Sequence, residues 1–64
     1  MAHYEIRILN AALRPALIIK AFHLNDAAAI NMATMFAADR SVEVWRDIDC
    51  VYRAPSTELS IKAA

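Results

Sequence analysis

Not one of the 64 residues is glycine, and this absence limits what the chain can fold into more than any residue it contains. Every turn must be made without the residue that enters left-handed backbone conformations at least cost. The P-loop and the dinucleotide-binding fingerprint both depend on such glycines, so nucleotide binding by those routes is excluded.

A chain of 64 residues with no shift in composition is one domain, and at this size folding buries only about 60% of the surface the unfolded chain exposes. Small domains compensate with disulfides, a metal or a partner subunit. The single cysteine, Cys50, closes the first route within the chain. Together with an N-terminus lacking a charged-then-apolar leader, it predicts a reducing, cytoplasmic setting. The longest apolar stretch, residues 16–19, is far short of the roughly 18 residues a membrane span needs, so no membrane association is expected. Seven basic residues balance seven acidic ones, and the basic ones are spread from Arg7 to Lys62, which leaves no polyanion-binding patch and makes nucleic acid an unfavoured partner. The composition is 59% hydrophobic, with 14 alanines.

From His3 to Leu9 the residues alternate, with Tyr4, Ile6 and Ile8 on one side and His3, Glu5 and Arg7 on the other, which is the period of a strand covered on one face. Residues 10–14 lack alternation and Pro15 cannot donate to a ladder, so a hairpin turn is expected there. Residues 16–24 are apolar at both parities, and such a strand expects cover on both sides. Two registers against the first strand are possible. The preferred one sets Leu17 and Ile19 opposite Ile8 and Ile6 and places Lys20 near Glu5 and Arg7; it leaves Ile18, Phe22 and Leu24 facing away from the helix.

Asn25 and Asp26 suit a helix N-cap, and residues 26–40 are dense in alanine and methionine, which predicts a helix of about four turns. Its apolar arc, with Ala29, Ile30, Met32, Ala33, Met35, Phe36 and Ala37, is wider than one small sheet needs. Val42, Val44 and Trp45 begin a second β region, residues 46–49 resemble a turn, and Cys50, Val51 and Tyr52 resume the strand pattern. One long strand over 42–53 is the alternative, giving ββαβ. The fold class expected is α+β, a small ββαββ domain over residues 1–53, with one helix on one face of an antiparallel-dominated sheet and a C-terminal tail over 54–64 in which Ile61 either docks or does not. The expected core is Tyr4, Ile6, Ile8, Leu17, Ile19, Ala21, Ile30, Ala33, Ala37, Val42 and Val44, and the crossover from second strand through helix to third is expected to set those two strands parallel.

The segments Asp26-Ala27-Ala28-Ala29-Ile30, Val42-Glu43-Val44-Trp45-Arg46 and Val51-Tyr52-Arg53 resemble a group of short bacterial proteins with a hairpin, a helix entered through an Asp-Ala-Ala-Ile-like segment and a Val-Glu-Val-Trp strand. The resemblance covers about residues 4 to 53. Where relatives often carry a Gly-Asp turn, this chain has Asp47-Ile48-Asp49. The group has no established activity, so the resemblance implies the fold and no site.

The residues offer little chemistry. His3, His23 and Cys50 lack the short spacings that place two metal ligands on one element, and no metal or other cofactor is expected. Cys50 follows Asp49, whose charge opposes thiolate formation, and is read as a small buried residue rather than a nucleophile. Asp47 and Asp49, with Glu43, are read as solvated turn residues rather than an acid pair or a cation loop. No catalytic residue is assigned, and the chain is read as non-enzymatic. Ile18, Phe22, Leu24, Trp45 and Val51 are instead expected on the sheet face the helix leaves open, an apolar patch of the kind that marks an interface; the competing reading puts Trp45 in the core with the strand phase reversed. A self-associating module, a homodimer or higher homo-oligomer, is therefore expected, with a small-ligand or nucleic-acid-binding domain as the alternative.

Overall fold

The structure, a computed structural model, describes residues 1–55. Five elements follow in order: β1 (Ala2–Leu9), β2 (Pro15–His23), α1 (Asp26–Ala37), β3 (Val42–Arg46) and β4 (Asp49–Ala54). The fold is thus ββαββ, and residues 42–54 form a hairpin rather than one long strand. Residues 56–64, including Ile61, lie outside the described residues, and Ala54, expected to start the tail, belongs to β4.

The strand order is β2-β1-β3-β4, with every neighbouring pair antiparallel. β2 and β3 therefore run in the same direction, as the crossover predicts, but β1 lies between them. In the first hairpin Ile6 faces Ile19, Ile8 faces Leu17 and Glu5 faces Lys20, which is the preferred register. Lys20 Nζ stands 3.9 Å from Glu5 Oε1.

Local chemistry explains how the turns form without glycine. Asn10 organises the first: its side-chain oxygen accepts from the amides of Ala12 (2.9 Å) and Arg14 (3.1 Å), and its own amide donates to the Arg14 carbonyl (2.9 Å). Leu13 takes a positive φ of 61° in this turn, and Asp47 takes 56° in the second. Asp tolerates that region better than a bulky apolar residue does.

The helix starts where predicted, with the Asn25 side chain accepting from the Ala28 amide at 2.9 Å. It ends at Ala37, three residues before the expected Arg40, because Ala38 turns to φ 55°, ψ −111° and sends its amide back to the Thr34 carbonyl. One stripe, Ala29, Ala33 and Ala37, is fully buried against Tyr4, Ile6, Ile8, Val42 and Val44. Alanine lets the helix backbone approach the sheet closely, and β1 and β3 supply the bulk.

Four members of the expected core are less buried than proposed. Leu17 is 49% exposed, Ala21 is half-buried, Ile19 and Ile30 are half-buried at the margin of the cluster, and Leu9 and Ala29 are buried instead. The correction has one cause: β2 is an edge strand, and the helix lies chiefly over β1 and β3. Two-sided apolarity in residues 16–24 had implied a strand with cover on both faces, whereas β2 has full cover on neither.

Candidate interaction surface

The sheet face away from the helix divides into two zones. On β1 and β3, Glu5 stands opposite Trp45 and Arg7 opposite Glu43. Trp45 is thus on the open face and half-buried. Its cover is polar: the Arg7 guanidinium lies 4.7 Å from the indole centroid, and the indole Nε1 donates to Glu43 Oε1 at 3.0 Å. Arg7 also pairs with Glu5, and Arg53 Nε stands 3.1 Å from Glu43 Oε2. The cation over the ring face and the carboxylate at its edge match the ring's own charge distribution. This zone is a closed lattice in which each named cation already has a carboxylate.

The second zone is β2, where Ile18 (49% exposed) and Phe22 (66% exposed) stand on the same open face beside Lys20. Phe22 makes an edge contact with His3, ring centroids 5.1 Å apart, and has no other ring contact among the described residues. Leu24, just beyond the strand, is 71% exposed. Leu17, on the opposite, helix-side face of β2, is exposed as well, so the apolar surface wraps around this edge. Met35 and Phe36 add exposed apolar area on the helix.

Ile18, Phe22 and Leu24 are thus brought together along one edge, and Trp45 is separated from them by the charged side chains of β1. Val51 lies farther off, on the opposite edge strand. There the pairing shifts between Val44 and Trp45, so Trp45 faces Cys50 and β4 carries one extra residue, Val51, half-buried against the core cluster. The same irregularity leaves Cys50 exposed, where a buried thiol was expected; its sulfur is 3.4 Å from the Tyr52 carbonyl oxygen.

One polar constellation was not foreseen. The Tyr4 hydroxyl donates to Asp26 Oδ1 at 2.5 Å, and Arg46 donates to both carboxylate oxygens of Asp26, at 3.0 and 3.2 Å. The hydrogen bond to Asp26, followed by burial, raises the Tyr4 hydroxyl above its ordinary pKa. The attraction of the same carboxylate raises Arg46 above its own. The cluster ties the helix start to β1 and to the end of β3. It borders an open hollow of about 540 Å³ lined also by Leu24 and Asn25. Its partners are 20 and 22 residues apart in the chain, so spacing carried no signal of it.

His23 packs edge-on to Tyr4, centroids 5.7 Å apart, with a buried, unpartnered Nε2. Among the described residues no group of three or more His, Cys, Asp or Glu side chains is placed to hold a metal ion, and no helix is long and apolar enough to cross a membrane. No protein-family model matches the chain, no curated protein matches it and no solved structure does either.

Proposed function

We propose that this domain is a non-enzymatic interaction module that works by self-association, as a homodimer or higher homo-oligomer, in the cytoplasm. The observation that carries the proposal is β2, an edge strand whose Leu17, Ile18 and Phe22 are 49%, 49% and 66% exposed and lie on both of its faces. Single exposed apolar residues need no explanation, but a contiguous set on a strand with an unpaired backbone edge favours association. A second copy would supply the burial that a 64-residue chain does not achieve alone. The exposed thiol of Cys50 suits a reducing compartment.

Analytical ultracentrifugation across a concentration series tests the proposal. Dimer or larger species growing in with concentration is the expected result, and a folded monomer at tens of micromolar would overturn it.

The alternative is a small-ligand or nucleic-acid-binding domain. The hollow beside Asp26 and Arg46 is the feature in its favour. Against nucleic acid stand the carboxylate partners of Arg7, Lys20, Arg46 and Arg53, each of which a phosphate would have to displace. Salt-dependent binding of single-stranded oligonucleotides would favour this alternative over the module.

A further inference from the structure

We infer that β2 pairs antiparallel with β2 of a second copy about a two-fold axis at Ile19, so that the four-stranded sheet continues as eight strands across a dimer. This rests on the self-association proposed above and specifies its geometry: the joint is the strand edge, and the Trp45 face stays outside it.

Three features of β2 point to a second copy as the occupant. The first is the backbone. An edge strand leaves one row of amides and carbonyls unpaired, and the complement of such a row is another strand. Natural edges are blunted by bulges, prolines, charges or a covering helix. Pro15 and the pairing irregularity, which leaves Ala16 as the extra residue between Pro15 opposite Leu9 and Leu17 opposite Ile8, are confined to the start of the strand, and residues 17–23 have neither a bulge nor a proline.

The second is shape. With the axis at Ile19, positions summing to 38 face each other, so Leu17 lies opposite the partner copy's Ala21, and Phe22 opposite its Ala16. Leu17 and Phe22 thus each meet an alanine, Phe22 at the irregularity that leaves Ala16 as the extra residue of β2, and Ile18 meets Lys20. An axis at Lys20 would oppose the two ammonium groups. An axis at Ile18 would leave Phe22 without a facing residue within the strand.

The third is charge. Lys20 is the one Asp, Glu, Lys or Arg residue in β2, and it stands beside its own Glu5. In the Ile19-centred register each Lys20 faces an Ile18, whose side chain meets the aliphatic stem while the ammonium reaches outward. No like charges are directly opposed. The dimer would also set both helices on one side of the continuous sheet, because the axis is perpendicular to it, with Leu17 and Ile19 on the floor between them.

The experiment combines sedimentation with amide exchange on the full chain. Wild type is expected to dimerise, with alternate amides of β2 gaining protection as concentration rises. Leu17→Lys, on the helix-side face of β2, is expected to weaken the dimer at least a hundredfold, and Trp45→Lys to leave it within about threefold; circular dichroism confirms that each variant folds. A wild type that stays monomeric overturns both this inference and the self-association beneath it. A dimer that survives Leu17→Lys but dissociates with Trp45→Lys overturns the edge joint alone and returns the interface to the open face. Should Leu17→Lys fail to fold, Ile19→Cys in a Cys50→Ser background decides the matter. The paired register sets the two new thiols across the axis at a separation a disulfide can span, so rapid formation of a covalent dimer is expected, and its absence in a dimerising sample overturns the register.

Discussion

At one edge of the sheet β2 presents nine residues whose one full charge is Lys20, while at the other β4 presents six that include Asp49 and Arg53 and is followed by Pro55. β4 carries its pairing irregularity in mid-strand, opposite Trp45, whereas that of β2 falls at its start, at Ala16, and residues 17–23 pair regularly. Charges, short length, a bulge and a proline are the devices by which strand edges avoid other strands. Both edges have such devices, but those of β2 are Pro15, the irregularity at Ala16 and the single Lys20, which leave residues 17–19 and 21–23 regularly paired and without Asp, Glu, Lys or Arg, though both strands flank the same core. The difference teaches that on the sheet the exposed apolar side chains gather along β2, with Leu17, Ile18 and Phe22, while the face around Trp45 is closed by ion pairs. Met35, Phe36 and Ile48 are exposed elsewhere, on the helix and in the second hairpin turn.

The contrast can be broken most directly at the cross-strand pair Ile6–Ile19. Ile6 is fully buried at the centre of the sheet and Ile19 is half-buried on the edge. Ile6→Ala is expected to cost about 3 kcal/mol in urea denaturation of the monomer and Ile19→Ala about 1 kcal/mol, because the cavity term is large only where neighbours cannot relax. Equal losses would mean that β2 is covered like an interior strand.

The next largest effect compares the two edges as surfaces. Ile18→Lys is expected to weaken self-association at least a hundredfold, equivalent to about 2.7 kcal/mol, and Cys50→Lys to leave sedimentation unchanged. If Cys50→Lys is the disruptive one, the protected and unprotected edges have been assigned the wrong way round.

The two hairpin turns sharpen the comparison at a smaller scale. Leu13 holds a positive φ with a branched side chain, and Asp47 holds one with a residue type that accepts it. Leu13→Gly should raise stability by about 0.5–1 kcal/mol, the relief of backbone strain less the added freedom of the unfolded chain. Asp47→Gly should change it by less, read from the same denaturation midpoints.

The smallest effect at neutral pH lies at the cluster joining the helix to the end of β3. Tyr4 has its pKa raised in the folded state, chiefly by its hydrogen bond to Asp26. Folding therefore favours its protonated form, and that contribution is whole below the unfolded tyrosine value near 10 and is lost as pH rises through the higher folded value. Wild type should lose stability along this alkaline limb, and Tyr4→Phe should flatten the limb in melts between about pH 9 and 11.

Much of this fold is legible in the residues. Alternation over residues 3–9, the Asn25 cap and the polar run over 46–49 mark elements through period and turn chemistry, which act within a few positions. Even the register of the first hairpin is readable, because one slip would separate Lys20 from Glu5 and send Ile6 to solvent. The candidate surface is less so. Ile18, Phe22 and Leu24 share an edge because they are close in sequence, but Arg7 covers Trp45 through strand pairing across 38 positions, and the shift that places Cys50 opposite Trp45 has no signature in the residue types.

From the sequence alone follow the elements, their class, the absence of glycine-dependent phosphate loops and the faces taken by the residues of β1, β2 and β3, all consequences of interactions short along the chain. In β4, by contrast, Val51, expected on the open face, packs against the core cluster and Cys50, expected buried, is exposed. The tertiary structure decided which strands lie at the edges. Residues 16–24 look like a buried interior strand, and their exposure arises only because β1 inserts between β2 and β3 and the helix settles chiefly over β1 and β3. Strand order is a competition among pairings distant in sequence, settled by where one helix can bury an alanine stripe, and no local pattern records its outcome.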